Sequence, residues 1–162
     1  MKRVLLFLLI ALPLFLLAGL YFLDKDYFLC PIEYKAGIVV RSDKRGSGLF
    51  GAERSGMRLH QGIDLLAPVG RHVLASRSGR VLAATRNHGM GKYVIIGHGA
   101  KMITIYGHLS EIYVSRGKFV RQGQLIGAVG KTGNANYRDI QPHLHFEVRK
   151  NGVSQDPLEY LQ

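Results

Sequence analysis

The sequence predicts a mainly β protein: a compact antiparallel β-sheet or sandwich domain that follows an N-terminal transmembrane helix. Three observations predict it. Short β-like runs recur between residues 37 and 149, separated by turns rich in Gly, Asn and Ser. Beyond the N-terminal run, only one stretch, near the C-terminus, has helical character. At the other end, Val4 to Leu23 (VLLFLLIALPLFLLAGLYFL) carries no charged residue, and about 20 apolar residues are what a helix needs to cross a bilayer.

The apolar run is longer than the core of a cleavable signal peptide, and Ala18-Gly19 is a poor cleavage site, so an uncleaved anchor at residues 1–23 is expected. Pro13 is tolerated in a membrane helix. Lys2 and Arg3 precede the run while Asp24 and Asp26 follow it. The positive-inside rule then leaves the N-terminus in the cytoplasm and the rest of this single-pass chain in the periplasm or its extracytoplasmic equivalent. Residues 24–47 are read as linker and leading segment, with the linker proper over 24–36, and residues 48–162 as the working domain. Cys30 is the one cysteine, which excludes an intramolecular disulfide and leaves a spare thiol in the linker.

Strands are expected at 37–41, 63–66, 72–75, 80–85, 93–97, 102–106, 124–129 and 143–149. Asn151-Gly152 signals a hairpin after the last of these. Residues 156–161 read as helical, with Asp156 as N-cap and Pro157 in the first turn.

The chain has 22 Lys plus Arg against 11 Asp plus Glu, and 19 against 9 of these lie from Pro31 onward. Such an excess suits polyanionic surroundings. The cations are scattered singly rather than gathered, no interleaved aromatic stacking pattern accompanies them, and the expected address is outside the cytoplasm. No nucleic-acid partner is expected.

Histidine marks three places. In Gln141-Pro142-His143-Leu144-His145-Phe146-Glu147-Val148-Arg149 the strand period of two sends Leu144, Phe146 and Val148 to one face and His143, His145 and Glu147 to the other. An edge strand with a solvated polar face would show the same alternation. In His60-Gln61-Gly62-Ile63-Asp64, Gly62 and the later Pro68 and Gly70 favour a turn into a strand over a helix, with Ile63 and Leu65 inward and Asp64 opposite. In Tyr106-Gly107-His108, a histidine follows a strand end, where functional groups tend to sit. His72, His88 and His98 have no such setting and read as surface or structural residues. Catalytic zinc takes three protein ligands and keeps a position for water. Two His and one Asp suit it, and the remaining histidines could handle protons and charge.

From about Gly48 to Leu161 the chain resembles the lysostaphin/LytM-type zinc endopeptidases that cut peptide bridges in peptidoglycan. The resemblance runs in order through Phe50-Gly51, His60-Gln61-Gly62-Ile63-Asp64, Ala67-Pro68-Val69-Gly70 and Tyr106-Gly107-His108-Leu109-Ser110. It continues through residues 120–127, Gly130-Lys131-Thr132-Gly133 and Pro142-His143-Leu144-His145-Phe146-Glu147. It implies one zinc ion on His60, Asp64 and His145, with His108 and His143 as catalytic residues over the zinc-bound water. Glu147 is expected either to orient a ligand histidine or to form a surface salt bridge, and Tyr106, Asn134 and Tyr137 to border the substrate groove. The chain departs from the family at residues 134–141, which form a loop several residues longer than usual beside the site. The implied function is a membrane-anchored peptidoglycan endopeptidase. The alternative is a non-catalytic wall-binding or hydrolase-activating module of the same fold.

Overall fold

The computed structural model describes residues 27–162, so the apolar run at 4–23 lies outside the described residues. Among the described residues no helix is long and apolar enough to cross a membrane. Thirteen strands form among the described residues, in chain order: β1 (Ser42–Asp43), β2 (Gly46–Ser47), β3 (Glu53–Arg54), β4 (Arg58–Leu59), β5 (Ile63–Leu66), β6 (His72–Leu74), β7 (Gly79–Asn87), β8 (Gly91–Gly97), β9 (Met102–Ile112), β10 (Phe119–Val120), β11 (Leu125–Val129), β12 (His143–Lys150) and β13 (Val153–Gln155). The strand pairings are antiparallel. Nine strands share one sheet, while β1–β2 and β3–β4 are separate two-stranded hairpins.

The sheet forks on β9. Its flank opposite β8 pairs with β12 over Met102–Gly107 and with β11 over Leu109–Ile112. The fork falls at His108, and on the β8 side the register slips there as well. A bulge inserts a residue and re-aims the side chains around it. Strict alternation from Tyr106 would return His108 to the core face. Instead His108 takes a left-handed φ of 61°, and the next residue, Leu109, is the one that enters the core.

The core collects the apolar half of each alternation: Ile63 and Leu65 of β5, Tyr106 and Leu109 of β9, and Leu144, Phe146 and Val148 of β12 are all fully buried. The Tyr106 and Phe146 rings stack obliquely with centroids 5.3 Å apart. β12 is no edge strand, because β5, β9 and β13 all pair with it. On its polar face His143, His145 and Glu147 are buried rather than solvated.

Four expectations differ from the structure. The segment read as linker packs: Phe28 and Ile32 are buried, Phe28 N–H donates to Tyr160 O, and Phe28 bridges to Leu161. Residues 37–41 make one isolated bridge, Val40 to Leu65, in place of a strand. The expected C-terminal helix is a single 3-10 turn at Pro157–Glu159, capped by the Asp156 carboxylate accepting from Leu158 N–H. Tyr106, expected in the groove, points into the core, where its hydroxyl accepts from Ser76 N–H and the Thr104 hydroxyl. It shares the face of Phe146 across the pairing, so alternation gives the groove face to Gly107 and His145. At Asn151-Gly152, by contrast, both residues have positive φ, 53° and 81°, as a two-residue hairpin between β12 and β13 requires.

Candidate metal centre and active site

Asp64 on β5 and His145 on β12 stand directly opposite each other, and cross-strand neighbours of this kind bring their side chains together. His60 reaches the same point from the turn before β5, where its N–H donates to Ala52 O and its carbonyl accepts from Gly51 N–H. Three atoms converge. His60 Nε2 lies 3.0 Å from His145 Nδ1 and 3.1 Å from Asp64 Oδ1, and the latter two atoms are 3.0 Å apart. All three residues are buried.

The far side of each imidazole is already engaged. His60 Nδ1 lies 2.8 Å from Leu49 O, and His145 Nε2 lies 2.9 Å from Glu147 Oε1. A carbonyl or a carboxylate can only accept, so each outer nitrogen carries the hydrogen. A neutral His60 then turns a lone pair at Nε2 toward Asp64 Oδ1, which has lone pairs only. Two acceptors at that distance repel unless a proton or a metal cation stands between them. Zinc bonds of about 2.0–2.2 Å in a tetrahedron set ligand atoms about 3.3–3.6 Å apart, slightly wider than this triangle. The donor set, its geometry and the outward hydrogen bonds all fit zinc.

Two further histidines face the same space. His108 Nδ1 donates to Thr132 O at 2.9 Å and His143 Nδ1 donates to Gln141 O at 2.7 Å. Their Nε2 atoms are thereby left for the site, with that of His143 3.7 Å from Asp64 Oδ1. The His108 and His143 rings meet edge to face at 5.1 Å. Burial, aided by the charge on His145 and His143, pushes the His108 pKa down to about 3, and burial also lowers that of His143. Both are therefore neutral near pH 7, the state a proton acceptor needs.

The charges around the triad are balanced. Burial works against the Asp64 carboxylate, yet the hydrogen bond from His145 and the charge on that ring hold its pKa well below the usual range. Its Oδ2 accepts from Arg41 at 3.0 Å and Arg54 at 3.3 Å, leaving Oδ1 for the site. Glu147 both orients His145 and pairs with Arg149, whose Nε donates to Oε2 at 2.7 Å. Glu147 is buried, so its pair with Arg149 is not the surface salt bridge that was the alternative to orienting His145. Nothing in the sequence pattern singled out Arg41, which lies 23 residues before Asp64, or the backbone acceptors Leu49, Thr132 and Gln141.

Asn134 and Tyr137 line the groove around the triad. The long 134–141 loop is tied to the β1–β2 hairpin: Arg45 pairs with Asp139 at 2.7 Å, its guanidinium lies over the Tyr137 ring at 4.9 Å, and Gln141 N–H donates to Asp43 Oδ2. The loop is one wall of the groove, anchored from the leading segment.

The family model described as peptidase family M23 matches residues 58–157. The chain belongs to that family. It is 44% identical over 101 residues to the DD-carboxypeptidase/endopeptidase Mpg of Neisseria meningitidis, covering 62% of this chain and 22% of that protein. It is 35% identical over 113 residues to the murein hydrolase activator NlpD of Escherichia coli, covering 69% of this chain and 28% of that one. Among solved structures, a zinc-containing peptidase from Vibrio cholerae superposes with a TM-score of 0.68 at 30% identity, over 83% of this chain and 40% of that one. The chain spans less than a third of the length of either curated relative. The lysostaphin/LytM-type resemblance read from the motifs is the family found.

Proposed function

We propose that this chain is a membrane-anchored, zinc-dependent endopeptidase that hydrolyses peptide cross-links in peptidoglycan. One observation carries the reading: His60, Asp64 and His145 converge as a buried ligand set while His108 and His143 present two neutral imidazoles to the same space. A relative named as an activator favours a second reading, a hydrolase-activating module. A full complement of ligands and proton-handling groups supports catalysis instead.

His60 Nε2, Asp64 Oδ1 and His145 Nδ1 would hold the zinc. When bound, it supplies Lewis acidity, polarising the scissile carbonyl and bringing a water toward a pKa of about 7. The protein groups do the rest. His108 Nε2 and His143 Nε2 both face the attacking water and one of them takes its proton; the imidazolium so formed steadies the charge that grows on the carbonyl oxygen and returns that proton to the leaving amine. Thr132 O and Gln141 O keep both rings in the tautomer that leaves Nε2 without hydrogen. Glu147 and Arg149 fix His145, while Arg41 and Arg54 fix Asp64. The groove walls at 134–141 and in the leading hairpins hold the peptide extended across β12.

The test uses the full chain in detergent or bilayer with purified peptidoglycan. About one zinc per chain is expected, with soluble fragments bearing new amino and carboxyl ends. Chelation should abolish release and zinc should restore it. Undiminished release by a verified metal-free sample would end the zinc reading. Release seen only when a separate hydrolase is added would favour the activating module.

A further inference from the structure

The face of the domain behind the groove is basic and joins the chain's N-terminal stretch. Two segments build it, residues 76–80 (Ser-Arg-Ser-Gly-Arg) and 115–123 (Ser-Arg-Gly-Lys-Phe-Val-Arg-Gln-Gly). They are stitched together by the pairing of Phe119 with Arg80 and Val120 with Gly79, and by Val81 N–H donating to Lys118 O. Between them they carry Arg77, Arg80, Arg116, Lys118 and Arg121 and no acidic residue. Arg80, Arg116, Lys118 and Arg121 are exposed, and the Phe119 ring stands 64% exposed among them while Val120 beside it is buried.

The N-terminal stretch enters the fold at this face. Gln122 Nε2 donates to Tyr27 O, Leu29 N–H donates to Ser76 O, and the Arg77 guanidinium lies 5.5 Å over the Phe28 ring. The uncharged run ends at Leu23, and four residue steps of extended chain to Tyr27 span at most about 14 Å. The groove faces the other way. Ser76 meets the core side of β9 through the Tyr106 hydroxyl, whereas His145 and the catalytic histidines occupy the opposite side of that sheet.

On the reading that residues 4–23 cross a membrane, we infer that this basic face docks on anionic lipid headgroups of the same bilayer, with Phe119 entering the headgroup layer. A tether this short holds the face within reach of the surface. Lys and Arg near an anionic surface are attracted over about one Debye length, and an exposed apolar ring among them adds burial. Asp24 and Asp26, with Lys25 between them, are outnumbered by the five cations. Docking in this pose turns the groove away from the lipid, toward the wall.

The experiment reconstitutes the full chain into phosphatidylcholine vesicles with and without phosphatidylglycerol. Cys30→Ser removes the native thiol. A fluorophore is placed by Ser115→Cys on the basic face, or by Val153→Cys at the groove rim, and headgroup spin labels act as quenchers. Docking predicts severalfold stronger quenching at position 115 than at 153, only with phosphatidylglycerol, reversed by high salt and lost in the Arg116→Glu/Lys118→Glu variant. A chain that stays with the vesicles through alkaline washing but shows no such quenching overturns the docking alone. A chain that washes off removes the anchor and this inference with it. Binding of the face to purified wall polymer, without quenching on vesicles, assigns the patch to the wall and overturns the lipid assignment.

Discussion

His145 Nδ1 is the atom for which a proton and a metal ion compete. Burial pulls the His145 pKa down, but hydrogen bonds to Asp64 and Glu147 outweigh it and push the value up to about 9 in the protein alone. Below that pH zinc must displace a proton from Nδ1, and above it the competition ends. Zinc affinity should therefore rise as pH climbs from about 7 to about 9, by up to tenfold per unit, and then level off. Competition against a chelator of known affinity at each pH measures this, and an affinity independent of pH across that window would contradict it. The positions of Asp64 and His145 were legible because a two-residue period sends both away from an apolar face. Arg41 was not, since its contact with Asp64 is made across 23 residues by a segment with no regular pattern. Tyr106 stays out of the groove that its neighbours Gly107 and His108 face, because alternation sends it to the core side with Phe146.

Two of the three ligands stand on paired strands, Asp64 on β5 and His145 on β12, and their spacing depends on Gly62. A Cβ built there would stand 2.3 Å from the Phe146 carbonyl oxygen and 2.8 Å from Glu147 Cγ, closer than real atoms approach. Gly62→Ala should push the start of β5 off β12, separating Asp64 from His145. The expected cost is about 1–3 kcal/mol of stability, the range for an overpacked site, together with weaker zinc binding. Urea unfolding and zinc titration of the folded variant check it, and wild-type values for both would show that the close approach is not needed. β5 and β12 could be read from the sequence because each is long enough to display its alternation. The hairpins β1–β2 and β3–β4 could not, being two-residue strands of mostly polar residues. Nor could the bulge that turns His108 to the site, since it breaks the period by which strands are recognised. The C-terminal stretch reads as helical through Asp156 and Pro157, yet after one turn Leu161 leaves to bridge Phe28.

Across the described residues, one forked sheet separates two faces. The groove lies on one side, and the N-terminal strap with its basic surroundings lies on the other. The groove in turn divides its five central residues into three that meet at one point and two that stand beside it. Zinc stoichiometry measured beside peptidoglycan hydrolysis, for His145→Ala and His143→Ala in the full chain, tests that division most directly. His145→Ala should fold but lose most of its zinc and its activity, as should His60→Ala and Asp64→Ala. His143→Ala should keep about one zinc per chain while turnover falls about a hundredfold or more, the size expected when one proton-transfer or oxyanion contact is removed. A His143→Ala chain without metal, beside a His145→Ala chain that retains zinc and cuts the wall, would contradict the account.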